Sequence, residues 1–249
     1  MLKDITLGQY FPGSTVAHRL DPRTKILLVV LYIVALFCAK GAVGYAVMAL
    51  VLLTCARISK VKFKSLVRGL KPVLFIIIFT AIMNLFFTPG ENYIFELGFL
   101  RVSAEGLRNA FFMVLRIMML IMGTFLMTYT TSPISLTDGL ERLLNWMKKL
   151  HVPVHELAMM MSIALRFIPT LIEETDKIMS AQKARGADFE SGNLIQKAKA
   201  MLPILVPLFV SAFRRADELA TAMECRCYHG GEGRTKLHVL KYESRDYIA

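Results

Sequence analysis

Two short segments share a pattern built around an arginine. Residues Ala181–Gly186 and Ala222–Cys227 both read alanine, two variable residues, a small residue, arginine and a second small residue. The neighbours are too small to cover the arginine, so we expect each guanidinium to project freely and grip a partner's carboxylate with two parallel hydrogen bonds. The segments predict two protein-docking sites, made of Ala184, Arg185, Gly186, Cys225, Arg226 and Cys227.

The repetition favours docking over a simpler explanation. A single arginine at a helix end is accounted for by its attraction to the negative end of the helix dipole. Here the second copy follows 41 residues after the first, on a chain that is otherwise apolar. Two matched positions indicate two matched contacts.

Other groupings that could do chemistry are incomplete. Cys225, Cys227 and His229 could bind a metal, but they lack a fourth ligand nearby. The segment Gly230–Lys236 has glycines without the order of a phosphate-binding loop, and it is interpreted as a flexible turn. We therefore expect no catalytic residues, no metal and no cofactor, so that any energy must come from partner subunits.

Composition predicts a membrane protein. The chain has 249 residues, of which 55% are hydrophobic, a mean hydropathy of +0.50 and a formal net charge of +11. The apolar surplus must face lipid, and the basic excess is typical of cytoplasmic segments near anionic headgroups. Binding to nucleic acid would need a separate soluble basic domain, which the sequence lacks. We expect a multi-pass protein of the cell membrane.

Charge decides how the first apolar run is divided. The loop Arg57–Lys71 carries six basic residues and no acid, and the stretch before Ile26 is also basic. Both are expected in the cytoplasm, so two crossings with a turn at Lys40–Gly41 must separate them. An acidic external loop follows Phe87. The predicted spans are Ile26–Ala39, Ala42–Ala56, Pro72–Phe87 and about Leu107–Thr130.

Two charged residues in this half are interpreted as structural. Arg116 lies well inside the fourth predicted span and shares a helix face with Arg108. An intramembrane arginine is either functional or paired, and here pairing with Asn84 or a backbone carbonyl is favoured. Asp21 precedes proline and is expected to cap the first membrane helix.

The second half is helical but of different character. Three amphipathic helical regions are predicted, at Ser132–Leu150, Pro153–Gly186 and Asn193–Cys227, with apolar parts too short to span. Such surfaces suit either a layer lying along the membrane against a moving partner or a packed cytoplasmic bundle, and the pattern leaves both open. The residues expected to face a partner or the membrane are Met159, Met160, Met161, Leu165, Leu205 and Leu208.

Three features of the sequence carry a resemblance to a known family: the segment His18–Lys25, the first arginine motif, and the second motif with the Tyr228 that follows it. With these features the sequence resembles the T component of energy-coupling factor transporters, the EcfT and CbiQ family. The resemblance covers nearly the whole chain. It implies an all-α membrane protein that docks two ABC ATPase subunits, through Arg185 and Arg226. It also implies a membrane-embedded, substrate-binding S component held on the helical surface, for uptake of a vitamin or micronutrient.

Two features depart from that family pattern. The second motif reads Cys-Arg-Cys and lacks glycine, although docking should survive because the arginine is intact. Family members also usually have a further span near the C-terminus, where this sequence reads Asp246–Ala249. The expected organisation is a transmembrane domain over 1–131, a cytoplasmic coupling domain over 132–228 and a tail over 229–249, with a cytoplasmic N-terminus.

A different class of function is an integral membrane enzyme acting on lipid-linked substrates. It would need clustered acids, and the dense cluster Glu173, Glu174 and Asp176 is interpreted as the solvated face of a helix. A permease working alone is disfavoured because the sequence lacks inverted repeats and broken helices.

Overall fold

A computed structural model describes residues 10–87, 93–97, 100–189, 193–230, 240 and 242–248, which are mostly helical. This confirms the predicted all-α membrane fold. The described residues form two compact units, one of 10–139 with 240 and 242–248, and one of 140–230. In chain order the helices are α1 (Val16–Arg19), α2 (Pro22–Cys38), α3 (Gly41–Ile58), α4 (Phe63–Leu70), α5 (Leu74–Phe87), α6 (Ala104–Thr130), α7 (Pro133–Leu143), α8 (Val154–Ala184), α9 (Leu194–Glu224) and α10 (Ser244–Ile248).

Helix α2 begins and ends where local sequence requires. Asp21 is its N-cap and accepts a hydrogen bond from the backbone N–H of Arg23 (2.9 Å), while Pro22 occupies the first turn. The chain breaks after Cys38 and restarts at Gly41, whose φ of 70° glycine adopts without strain. The predicted turn at Lys40–Gly41 is confirmed.

The basic segment after α3 is more ordered than predicted. The sequence was interpreted there as a loop, but α4 forms within it and a short 3-10 turn, Lys71–Val73, joins α4 to α5. Leu66 is 1% exposed and packs with Ala56 and Tyr129. The loop prediction is wrong at α4 because its apolar residues recur at helical spacing and find a partner surface on α6.

The acidic segment after α5 contains a β-hairpin. Strands β1 (Tyr93–Leu97) and β2 (Leu100–Ser103) pair antiparallel, with Glu96 opposite Arg101. The sequence predicts an external loop here without naming strands, because period-two alternation is a weak signal in so short a stretch. The predicted loop residues Thr88–Gly90 lie outside the described residues, as does the predicted turn after Gly230.

Helix α6 provides the core of the first unit. Leu36 of α2, Tyr45 and Leu52 of α3 and Met119 of α6 form one buried cluster. Beside it the Nε of Arg116 donates to the Tyr45 hydroxyl (2.9 Å). The arginine partner is therefore Tyr45.

The partner expected for Arg116 is engaged elsewhere. The side-chain amide of Asn84 donates to the Thr80 carbonyl (3.0 Å) and to the Met113 sulfur (2.8 Å). The guanidinium carbon of Arg116 also lies 5.4 Å from the centroid of the Phe37 ring, within range of a cation–π interaction. Pairing with a phenol and a ring face lets a charge lie among apolar helices.

Helices α8 and α9 dominate the second unit, and each has 31 residues. Pro169 in α8 and Pro203 and Pro207 in α9 lie inside the helices without ending them. Five helical segments among the described residues have the length and composition to cross a membrane: α3, the continuous segment Phe63–Phe86 through α4 and α5, α6, α8 and α9. The expectation that the apolar parts of α8 and α9 are too short to span is wrong by this measure, because each helix continues through its prolines.

Candidate docking site at two helix ends

Helix α8 ends in a tight backbone lock at the first arginine motif. The N–H of Ala187 donates to the Gln182 carbonyl (3.0 Å), and the N–H of Gly186 donates to the Lys183 carbonyl (3.0 Å). These nested bonds form a Schellman motif, which requires a left-handed residue, and Gly186 has a φ of 87°. Arg185 lies immediately before the turn, so the reversal of the chain leaves its side chain at the tip of the helix.

Helix α9 ends in the same lock 41 residues later. The N–H of Tyr228 donates to the Met223 carbonyl (3.1 Å), and the N–H of Cys227 donates to the Glu224 carbonyl (2.8 Å). Cys227 takes the place of Gly186 and adopts a φ of 54°, which a side chain disfavours by roughly 1–2 kcal/mol. The lack of glycine noted from sequence thus does not change the backbone at Arg226.

Both arginines are exposed at these tips. Among the described residues, no hydrogen bond or ion pair holds either the Arg185 or the Arg226 guanidinium. Ala184, Cys225 and Cys227 beside them are exposed as well. Each guanidinium is therefore accessible to a second protein.

The two helices run antiparallel and are joined by an ion pair. The Arg215 guanidinium donates to the Glu174 carboxylate (2.6 Å), and the Gln182 amide lies 3.4 Å from the Pro203 carbonyl. Glu174 stands eleven residues before Arg185, and Arg215 stands eleven residues before Arg226. The ion pair thus joins two residues that occupy the same position relative to the two arginine motifs.

This placement gives the pair an approximate two-fold symmetry. Eleven helical residues cover about 16 Å. The two arginines therefore lie on opposite sides of the ion pair, roughly 30 Å apart along the helices. Sequence interpretation placed Glu174 on a solvated face; the ion pair corrects this, and it also removes one acid from the cluster that an enzyme would need.

The residues around the two arginines carry different charges. Lys183 precedes Arg185 where Glu224 precedes Arg226, and Asp188 follows the first turn where His229 follows the second. All four side chains are exposed. The two tips share one backbone shape but carry opposite charges two residues before the arginine, a difference that an alignment of the two motifs over eight residues reveals from sequence.

The predicted apolar surface is partly exposed. Met160 and Met161 are each 54% exposed and Leu205 is 43% exposed, whereas Met159, Leu165 and Leu208 are half-buried. On α9 the exposed stripe is wider than predicted, and its further members are Met201, Leu202, Val206, Phe209, Val210 and Phe213. Their spacing of three and four residues was the available signal.

These features define a class of protein: a helical membrane subunit that presents two arginine-tipped helix ends of matched geometry. The model of the CbiQ family, described as cobalt transport protein, matches residues 13–237. The energy-coupling factor transporter transmembrane protein EcfT of Clostridium kluyveri is 58% identical over 250 residues, covering all of this chain and 93% of that protein. The EcfT proteins of Bacillus subtilis and Lactococcus lactis are 50% and 47% identical, each over 99% of this chain and 93% of their own length.

A family model that matches most of the chain and relatives of this identity establish the family. The chain belongs to the CbiQ and EcfT family of transmembrane transport proteins. The resemblance inferred from the arginine motifs is thereby confirmed.

The two locks make a prediction about helix-end stability. Gly186→Ala forces a side chain into the left-handed region and should weaken that lock by about 1 kcal/mol, while Cys227→Gly should strengthen the other by a similar amount. In hydrogen exchange, the Ala187 amide should exchange about fivefold faster in the first variant and the Tyr228 amide about fivefold slower in the second. The unaltered lock in each variant is the control, and unchanged exchange at both amides would contradict the shared geometry.

Proposed function

We propose that this chain is the energy-coupling transmembrane subunit of an ECF-type ABC importer. It transmits ATP-driven motion of two ATPase subunits to a membrane-embedded S component that binds a vitamin or micronutrient. The observation that carries the proposal is the placement of Arg185 and Arg226 at equivalent helix ends on either side of one ion pair. The chain itself is non-catalytic, and ATP is hydrolysed in the partner subunits.

The symmetry of the helix pair suits a pair of similar partners. Each ATPase subunit receives one arginine in a groove that supplies a carboxylate, and the fork of the guanidinium gives that contact direction as well as strength. When ATP draws the two subunits together, Arg185 and Arg226 are drawn together with them. The helices then tilt about the contact between Glu174 and Arg215.

The exposed apolar stripe is the surface for the S component. Phe209 and Phe213 are 61% and 68% exposed, so these apolar side chains need an apolar cover, which the S component supplies in this proposal. Met160 and Met161 add flexible side chains that can repack as the partner reorients. Length and composition would also let α8 and α9 cross a membrane, but in this proposal they lie along its cytoplasmic side, where the N-terminus also lies.

In this proposal the different flanking charges direct each tip to a different ATPase surface. The first tip carries Lys183 before its arginine and Asp188 after it, and the second carries Glu224 and His229 at the same places. Like charges opposed across a contact are costly, so a partner surface that complements one tip disfavours the other. The flanking charges thereby fix which subunit binds where.

Removing either arginine should weaken ATPase docking. Truncating one side of a buried ion pair costs about 2–5 kcal/mol, so Arg185→Ala or Arg226→Ala should reduce affinity for the ATPase subunits at least thirtyfold. Arg→Lys variants should fall between, because they keep the charge but lose the fork. Affinity is measured by titrating the purified ATPase subunits onto the chain in mild detergent, and coupling by ATP-driven uptake in proteoliposomes.

Arg214→Ala is the matched control for this experiment. Arg214 is an exposed arginine on α9, away from its tip, and its loss should leave docking unchanged. A double variant of Arg185 and Arg226 that binds the ATPase subunits and supports uptake normally would refute the proposal.

Exchanging the flanking charges should exchange the partners. A photo-crosslinking residue at Ala184 should label mainly one ATPase polypeptide, and one at Cys225 mainly another. Combining Lys183→Glu, Asp188→His, Glu224→Lys and His229→Asp should reverse that labelling while both arginines remain. Equal labelling of one polypeptide from both positions, before and after the exchange, would show that these charges do not select the partner.

A further inference from the structure

The first unit contains an apolar cavity that the coupling mechanism does not use. It has a volume of about 450 Å³ and lies among α1, α2, α3 and α6. Its apolar lining includes Leu20, Leu28, Val29, Ile58, Leu126 and Met127. A cavity of this size and composition can hold part of a lipid chain or a small apolar ligand.

A buried lysine lines this apolar cavity. Lys25 is 7% exposed, and its ammonium group donates to the carbonyls of Thr130 (2.9 Å) and His18 (3.3 Å). An ammonium group has three N–H donors, so two carbonyls leave one for a ligand in the cavity. Both acceptors are uncharged, and a buried cation without a direct anionic partner favours the arrival of an anion.

The nearby acids are already held by other groups. Asp21 binds the Arg23 guanidinium (2.7 Å), and Asp246 accepts the backbone N–H groups of Asp21 (2.8 Å) and Glu243 (2.9 Å). Neither carboxylate makes a hydrogen bond to Lys25 among the described contacts. Both acids are near enough to attract Lys25, but neither occupies its remaining donor, which is left for a ligand in the cavity.

A second basic residue lines the same cavity. Arg245 is part of the lining, and its pair with Glu243 is long (3.6 Å) and exposed, so that solvent screens it. Two cations on an otherwise apolar lining match the chemistry of an anionic amphiphile.

We propose that this cavity binds one anionic phospholipid, with an acyl chain among the apolar residues and the phosphate on Lys25 and Arg245. The apolar lining selects a lipid over free phosphate, because phosphate alone would leave that surface unfilled. The surrounding helices belong to the first unit, which contains three of the candidate membrane spans, so lipid molecules are available to the cavity. The bound lipid would neutralise Lys25 and join α2 to the end of α6.

Native mass spectrometry of the full chain tests this site. The chain is released from nanodiscs that contain equal amounts of phosphatidylglycerol and phosphatidylcholine. It should retain one phosphatidylglycerol molecule with at least a tenfold preference over phosphatidylcholine. Arg245→Gln should reduce this preference about fivefold, and Lys25→Met should abolish it. Lys40→Gln is the control, because Lys40 is an exposed lysine beyond the other end of α2 and its loss should change nothing.

A third variant protects the test against misfolding. Val29→Trp fills the cavity without altering charge and should displace the lipid, so it and Arg245→Gln decide the matter if Lys25→Met does not fold. Equal retention of both lipids by the unaltered chain would overturn the proposal. So would displacement of the lipid by millimolar inorganic phosphate, which would indicate a phosphate site, or full preference in folded Lys25→Met.

Discussion

The ion pair between Glu174 and Arg215 is the constraint on which the second unit depends. It fixes α8 and α9 against each other at positions eleven residues from their respective arginines. Both side chains are partly buried, so breaking the pair would leave a partly desolvated charge without its partner. Because the contact joins equivalent positions, the helical segments from the ion pair to each arginine are equal in length. Two similar partners can therefore act on one helix pair.

The two helix ends also share one backbone conformation. Gly186 adopts the left-handed conformation at no cost, whereas Cys227 adopts it although a side chain disfavours it. The retention of the turn without glycine indicates that the position of Arg226 matters more than the local stability of the helix end. Buried polar contacts differ in the first unit, where Arg116 donates to Tyr45 inside the bundle and Lys25 lines an apolar cavity.

Features set by local rules were predictable from sequence. The cap at Asp21, the break before Gly41 and the stop at Gly186 follow from residue type and near neighbours. Features set by distant contacts were not: Tyr45 lies 71 residues from Arg116, and Glu174 lies 41 residues from Arg215. Helix α4 is hard to predict because its basic charges indicate a loop while its apolar spacing indicates a helix. The arginine tips are predictable because their pattern repeats, whereas the different charges beside them become visible only when the two motifs are aligned.

In the proposed mechanism, force passes between the two arginine tips through one helix pair. Spin labels at Ala184→Cys and at the native Cys225, with the other cysteines replaced, would report the distance between the tips by pulsed electron paramagnetic resonance in the assembled complex. We expect a distribution of distances centred at roughly 30 Å without nucleotide and a shorter distance when ATP is trapped. An identical distribution in both states, in a complex that hydrolyses ATP and transports, would contradict this mechanism.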